Sequence, residues 1–258
     1  MNLGISDSLK IYEDAAFYDE EFQNRTHDLD FFVKLAKRNG GPILELGCGS
    51  GRITIPIAQQ GLEIHGIDIS PPMLQRGIIK GSSLNNNLHF HLMDMADFQL
   101  KLKVKFKFIF AASNSLQHLY SDDEVRSCLK SIHSSLDQGG LCVLDIANPD
   151  WKKLNRKWEE KYLFKTIMNS EYGKLDVYAR SEYIASSKTL HFELEYKNIK
   201  NEVVKLKDVK MRCFFPNDLE ELCADSGLEI IHKSGNYDRY RFHEHSPKQI
   251  VYVVPRPP

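Results

Sequence analysis

Residues 45–51 place three glycines, Gly47, Gly49 and Gly51, between a short apolar run and a segment with helical periodicity. Glycines at such a junction let the backbone approach a ligand closely, and the amides that open the helix point toward that ligand. Taken alone, the pattern fits many nucleotide-binding sites. A strand that turns through glycines into a helix nevertheless favours a parallel α/β sheet over other folds.

The alternation of strand and helix continues as far as residue 146. Short apolar runs predict buried strands over residues 43–46, 62–67, 88–92, 106–111 and 141–146. Helical periodicity predicts helix within the first 40 residues and over residues 53–60, 72–82 and 122–136. The order predicts an α/β fold with right-handed crossover connections.

The pattern changes after residue 149. Runs rich in Val, Tyr, Phe and Ile, separated by short polar turns, predict antiparallel strands over residues 175–184, 189–198 and 203–214. A last helix is predicted over residues 216–226, and two last strands over 228–233 and 249–254. We expect an N-terminal helical segment (1–40), a core (41–149 and 216–258) and a β insert (150–215).

The charge balance, the cysteines and the lack of long apolar runs limit which partners and which location we expect for this protein. The 258 residues include 34 basic and 35 acidic side chains, so the chain as a whole has no attraction for nucleic acid or an anionic membrane. The five cysteines contain no C-x-x-C pair, which argues against a disulfide framework and against a zinc site. With no signal-peptide pattern and no long apolar run, we expect a cytoplasmic protein.

Acidic residues follow two further predicted strands. Asp68 closes the second strand, where a carboxylate can accept both hydroxyls of a ribose. Asp94 follows the third strand and could accept the exocyclic amine of an adenine held between Ile69 and Met95. Because ligands bind at the carboxyl edge of such sheets, the sequence predicts an adenosyl site there.

Adenosyl cofactors and NAD could both bind at such an arrangement of strand-end glycines and acids. A dinucleotide fingerprint expects Gly or Ala three residues after Gly49, and this chain has Arg52 there. Glu45, before the glycines, is also foreign to that fingerprint. An NAD-dependent oxidoreductase is therefore the weaker alternative.

With these features in place, the sequence resembles the class I S-adenosylmethionine-dependent methyltransferases. Residues 45–51, 66–74 and 93–98 are similar to the first three motifs of the family, and residues 136–141 to its turn into the fifth strand. The resemblance covers residues 29–148 closely and the C-terminal part more loosely. It implies a seven-stranded Rossmann-like sheet with an antiparallel last strand, and S-adenosyl-L-methionine as cofactor.

The resemblance also implies cofactor contacts by position. Residues that would flank the methionine part are Gly47, Cys48, Gly49 and Arg52, whereas Asp68 would hold the ribose. Residues that would surround the adenine are Ile69, Met73, Asp94 and Met95. Ala111, at the start of the loop after the fourth strand, is also predicted to contact the cofactor.

Residues 12–19 resemble the lid of small-molecule members, including sugar N-methyltransferases of antibiotic pathways. The resemblance implies that a tyrosine here closes over the cofactor near the transferred methyl group, with Tyr18 as the first candidate and Tyr12 as the second. Tyr18 is also a catalytic candidate, which would accept or orient the acceptor's proton together with His118. Arg25 could pair with the cofactor carboxylate. The alternatives are a tyrosine packed on a neighbouring helix and a solvated arginine.

The loop after the fourth strand, residues 111–119, is where we expect the chemistry. His118 is the candidate general base, since the pKa of imidazole lies near neutral pH, although it could equally be a packed histidine. The loop lacks the Asn/Asp-Pro-Pro-Tyr/Phe signature of methyltransferases acting on nucleic-acid bases. Arg239 and Arg241, in residues 237–245, are minor candidates for substrate contact.

The leading hypothesis is methyl transfer to nitrogen or oxygen of a small metabolite, without nucleic-acid or membrane partners. A homodimer formed through the β insert is possible, because relatives use that insert either to cover the site or to dimerise. Alternatives are a protein that binds the cofactor without transferring its methyl group, as a cyclase or regulator, and a methyltransferase acting on nucleic acid or protein.

Overall fold

A computed structural model describes residues 7–84, 86–98, 103–238 and 240–256. Its strands are β1 Ile43–Leu46, β2 Ile64–Asp68, β3 Leu88–Leu92, β4 Phe106–Ala111, β5 Leu136–Ala147, β6 Tyr162–Asn169, β7 Gly173–Ile184, β8 Thr189–Lys197, β9 Val203–Arg212, β10 Leu228–Ser234 and β11 Lys248–Pro255. Its α-helices are α1 Ala15–Phe22, α2 Leu29–Asn39, α3 Thr54–Ala58, α4 Pro71–Lys80, α5 Asp122–Ser135, α6 Trp151–Leu154 and α7 Pro216–Asp225.

Seven strands form one sheet in the order β10-β11-β5-β4-β1-β2-β3. Strands β1 to β5 pair in parallel, whereas β11 runs antiparallel to both β5 and β10. The α/β class and the antiparallel last strand are thus confirmed. The α/β class followed from local apolar runs and strand-end glycines, whereas the antiparallel last strand was implied by the family resemblance.

The sheet is buried on both faces, as its continuous apolar strands predict. On β1, Leu44 and Leu46 join one apolar cluster with α5 and α7, while Ile43 joins a second cluster with α2 and α3. Helices on both faces leave the carboxyl ends of the parallel strands as the open edge.

The N-terminal 40 residues are less helical than predicted. A 3-10 helix, Asp7–Tyr12, precedes α1, and residues 23–28 separate α1 from α2. Asp14 accounts for the start of α1, since its carboxylate accepts the amide of Phe17 at 3.0 Å. Among the described residues, no helix has the length and apolar character to cross a membrane.

The second sheet is antiparallel, in the order β6-β7-β8-β9. Sequence reasoning predicted three of these strands and missed β6. This edge strand is mostly exposed and its sequence shows no regular apolar alternation. One end of the sheet packs against α1 through a cluster of Phe17, Leu175, Val177 and Tyr196.

Candidate active site

A cleft with a cavity volume of about 100 Å³ lies at the carboxyl ends of β1, β2, β3 and β4. Predicted site residues that line it are Tyr12, Tyr18, Gly47, Cys48, Gly49, Arg52, Asp68, Ile69, Met73, Asp94, Met95 and His118. Further residues line the cleft that no sequence pattern had indicated as contacts: Glu45, Ser50, Ile53, Ile67, Met93, Ala112, Ser113 and Ser115.

Some predicted residues lie elsewhere. Ala111 is buried in the core at the end of β4, and its neighbour Ala112 lines the cleft instead. Arg25 does not line the cleft, and its Nε lies 3.4 Å from Asp28 Oδ2. Arg241 forms an isolated antiparallel β-bridge with Ser234, the last residue of β10. Arg239 is outside the described residues.

The glycine loop, residues 47–53, needs glycine where it meets the cleft. Gly47 and Gly49 have φ of +68° and +55°, a region that side chains disfavour. A Cβ on Gly47 would lie 2.7 Å from Ser115 Oγ, and one on Gly49 2.9 Å from Met73 Cε. Both the backbone conformation and the neighbouring side chains therefore require glycine at these two positions.

Asp68 ties this loop to the end of β2. One carboxylate oxygen accepts the amide of Gly49 at 2.7 Å and the other accepts the amide of Ser70 at 2.8 Å. Burial raises the pKa of Asp68, opposed by these amide donors. Each carboxylate oxygen keeps a further lone pair, so the group can also accept two ribose hydroxyls.

Glu45 lies below the glycine loop, fully within β1. Burial raises its pKa to about 8, although the Thr54 hydroxyl that donates to its carboxylate opposes the rise. A cationic group bound in the cleft would favour the ionised form. The signal in the sequence is the acid directly before the glycines, which belongs to the first motif of the resemblance and argues against a dinucleotide fingerprint, but which was assigned no contact with the cofactor.

Arg52 is already engaged. Its guanidinium binds Asp28 bidentately, at 2.7 Å and 2.6 Å, and donates to Ser113 Oγ at 2.7 Å. It thus joins the segment before α2 to the glycine loop. Because Asp28 neutralises the charge of Arg52, the remaining ionisable groups of the cleft include the acidic side chains of Glu45, Asp68 and Asp94.

Residues 7–22, which we call the roof segment, cover the cleft. Its Tyr12 and Tyr18 rings lie 5.4 Å apart and both line the cleft. Burial raises the pKa of Tyr18 to about 12, so this phenol is neutral. Aromatic faces over acidic groups suit a cationic ligand such as a sulfonium.

His118 meets the roof segment directly. Its Nε2 is 2.8 Å from the hydroxyl of Tyr12, and its Nδ1 is buried without a hydrogen-bond partner among the described residues. Burial lowers the pKa of His118 to about 4. The imidazole is therefore neutral at physiological pH.

The backbone before His118 is held in an unusual conformation. Ser113 and Asn114 have positive φ, 58° and 69°, immediately before the 3-10 helix Ser115–His118. Buried Asp145 on β5 supports this turn, since its carboxylate accepts the Ser113 amide at 2.8 Å and its carbonyl the Asn114 amide at 3.1 Å. Left-handed non-glycine residues cluster at functional sites.

The fold and cleft together define an adenosyl-binding Rossmann-like domain, with glycines after the first strand and acids after the next two. Residues 43–140 match the family model described as a methyltransferase domain. Over these residues the chain resembles methyltransferases. It spans about half the length of the first curated relatives it matches, 57% and 53%.

The chain is 25% identical to the glycine/sarcosine N-methyltransferase of Aphanothece halophytica over 226 residues, 87% of this chain and 80% of that protein. It is similar in fold to the CcbJ methyltransferase of Streptomyces caelestis (TM-score 0.80, 21% identity, 95% and 99% of the two chains). It is also similar to CalS10 of Micromonospora echinaspora, an amino pentose methyltransferase solved with S-adenosylmethionine bound (TM-score 0.67, 17% identity, 98% of each chain).

Proposed function

We propose that this protein transfers the methyl group of S-adenosylmethionine to a nitrogen or oxygen atom of a small metabolite, with an amine as the favoured acceptor. The observation that carries the proposal is the covered cleft, in which two neutral tyrosines and a neutral imidazole face three carboxyl groups. Such a site admits a compact acceptor and excludes a nucleic-acid duplex. The N-methyltransferase name of the curated relative supports nitrogen.

The cofactor supplies an electrophilic methyl group on a sulfonium. We assign Asp68 to the ribose hydroxyls, and Ile69, Met73, Asp94 and Met95 to the adenine. Gly47, Cys48 and Gly49 give the methionine part close access to the backbone. We add Glu45, whose carboxyl group can receive the cationic amine of the cofactor.

His118 and Tyr12 would manage the acceptor's proton. With the ring proton on Nε2 and donated to the Tyr12 oxygen, Nδ1 of His118 carries a lone pair that can accept a proton. Tyr18 packs beside Tyr12 and helps to exclude water. The protein's tasks are thus to align the acceptor, exclude water and take one proton.

The direct experiment is incubation with methyl-labelled S-adenosylmethionine and a panel of amines, amino sugars and hydroxylated metabolites. We expect label in at least one small amine and none in DNA or RNA. Tight binding of S-adenosylhomocysteine with no label transferred to any compound would instead favour a protein that does not transfer methyl groups. Binding of NAD alone would favour the oxidoreductase.

The role of His118 has its own test. His118→Ala should reduce kcat by about 10²-fold or more and leave cofactor affinity unchanged, because the imidazole acts on the acceptor. The acid limb of the kcat profile should lie near pH 4, since protonation at the buried pKa of about 4 removes the base. His245→Ala, on an exposed loop, is the control, and an unchanged rate in His118→Ala would remove the role.

The division into a lid (1–40), a core and a β insert is part of the same proposal. Contacts of α1 with Leu175, Val177 and Tyr196 support a covering role for the insert. Exposed Leu163, Phe164 and Met168 on edge strand β6 are compatible with a homodimer through the insert. The dimer and the cytoplasmic location stay predictions.

A further inference from the structure

A second group of side chains lies at the opposite end of the parallel strands, away from the cleft. His65 lies near the start of β2 and pairs in register with His89 of β3. Alternate residues of a strand share a face, so Glu63 lies beside His65, and His91 beside His89. We call these four residues the histidine cluster.

The cluster has the spacing of a metal-binding site. One ligand atom from each of Glu63, His65 and His89 lies within 4.8 Å of the other two. Glu63 Oε1 and His65 Nε2 are 3.3 Å apart. Tetrahedral zinc, with bonds of about 2.0–2.1 Å, holds its ligand atoms roughly 3.3–3.5 Å apart, so small side-chain rotations would bring the third ligand into place.

His91 supplies a partner for the central histidine. Its Nε2 lies 2.9 Å from Nδ1 of His65, and the two rings are nearly parallel, with an angle of 4°. Histidines that bind metals usually donate their other ring N–H to a neighbouring group, which fixes the tautomer. With the proton on Nδ1, the Nε2 of His65 faces the Glu63 carboxylate as a bare lone pair, an arrangement that a cation would stabilise.

We propose that Glu63, His65 and His89 bind one divalent transition-metal ion of the zinc class, with His91 as the residue that positions His65. Imidazole nitrogens and one carboxylate oxygen are ligands that such ions prefer, and a water molecule would complete the coordination. The spacing of the cysteines alone argues against a zinc site, but it carries no information about histidines that two paired strands bring together.

The site would be structural. His65 and Asp68 lie at opposite ends of β2, separated along the strand by roughly 10 Å at about 3.3 Å per residue, and none of the four cluster residues lines the cleft. The ion would join edge strand β3 to β2 on the face where His65 packs against Phe106. Its binding is therefore measurable without reference to methyl transfer.

The test is calorimetric titration of ZnCl₂ into the full chain, prepared without a histidine tag and treated with EDTA, followed by Co²⁺ absorption in the visible range. We expect one equivalent of Zn²⁺ and a rise in Tm on binding, because an ion that binds only the folded state stabilises it. His89→Gln and Glu63→Gln should lose binding. His91→Gln should weaken it by about 10- to 100-fold, as a residue that supports a ligand.

His245→Gln is the matched control, because His245 also lies 3.3 Å from a glutamate but on an exposed loop. Its Zn²⁺ affinity should equal that of the unchanged protein. Glu63, half-exposed, keeps the test informative if His89→Gln does not fold, as judged by circular dichroism. An absence of Zn²⁺ binding, or equal affinity in Glu63→Gln and the unchanged protein, would overturn the proposal.

Discussion

The floor of the cleft, by which we mean the glycine loop and the carboxyl ends of β1 to β4, and the roof segment are held in place by different kinds of contact. In the floor, Asp68 fixes Gly49 and Ser70 through main-chain amides, and the strands fix the rest. In the roof segment, acidic residues of α1 reach in two directions. Asp19 bonds to the core at Ser50, Arg76 and Lys80, whereas Glu20 and Glu21 bond to the insert.

From this difference in contacts we expect the roof segment, and not the floor of the cleft, to be the part that moves. The floor is part of a sheet buried on both faces, so displacing it would disrupt the core. The roof segment is held by side-chain contacts, ionic through Asp19, Glu20 and Glu21 and apolar through Phe17, so we expect that it opens while the sheet stays intact. Opening of a cover is a common way to exchange cofactor and product. We therefore expect the two sets of contacts to respond differently to mutation.

The largest effect should come from the insert side of the roof segment. Glu21 is almost fully buried and bonds to Lys207 at 2.5 Å, to Lys165 at 2.8 Å and to the Tyr196 hydroxyl at 2.7 Å. Glu21→Gln leaves two lysines without their charge partner, and breaking a buried pair costs about 3–5 kcal/mol. Urea unfolding should show that loss, with the cleft opening before the sheet.

The effect should also depend on pH. Burial opposes ionisation of Glu21, but Lys207 and Lys165 outweigh it and hold its pKa below the ordinary value. Its contribution is therefore complete above about pH 4–5 and lost as the pH falls through the lowered pKa, so the variant and the unchanged protein should converge in acid. Glu13→Gln, an exposed acid outside α1, is the control. A loss below about 1 kcal/mol at neutral pH would contradict a buried ionic anchor.

The floor is tested by Asp68→Ala. Removing the carboxylate should weaken S-adenosylhomocysteine binding by about 1–3 kcal/mol, since charge-assisted hydrogen bonds to the ribose are lost. Calorimetry measures the change directly. Asp123→Ala, at a side chain that is 98% exposed on α5, should bind normally. Equal affinity in both variants would show that Asp68 does not hold the ribose.

Local sequence patterns were sufficient for the floor. The glycines, Asp68 and Asp94 were identified because each follows an apolar run, and parallel strands bring their carboxyl ends to one edge. Two residues predicted to contact the cofactor, Ala111 and Arg25, do not line the cleft. Ala111 lies one residue before Ala112, which lines the cleft. Arg25 lies against Asp28, and no local sequence pattern predicts that ion pair.

Contacts between distant segments could not be predicted from the sequence. Tyr12 and His118 are 106 positions apart, and Glu21 and Lys207 are 186 apart. Neither pair leaves a periodic signal, since each depends on how the roof segment lies over the sheet. The histidine cluster could be predicted only in part. The alternation within each strand places Glu63 beside His65 and His89 beside His91, but only the pairing of β2 with β3 brings the two pairs together.

The smallest effect should come from the core side of the roof segment. Arg76 bonds to Asp19, but its side chain is 39% exposed and Lys80 also reaches Asp19, at 3.0 Å. Half-exposed pairs contribute about 0.2–1 kcal/mol, so Arg76→Gln should raise the KM for S-adenosylmethionine by less than about 5-fold. Arg126→Gln, which removes a similar pair on α5, is the control for general loss of charge. If Arg76→Gln destabilised the protein as much as Glu21→Gln, the roof segment would be anchored equally on both sides, and opening would require both anchors to break.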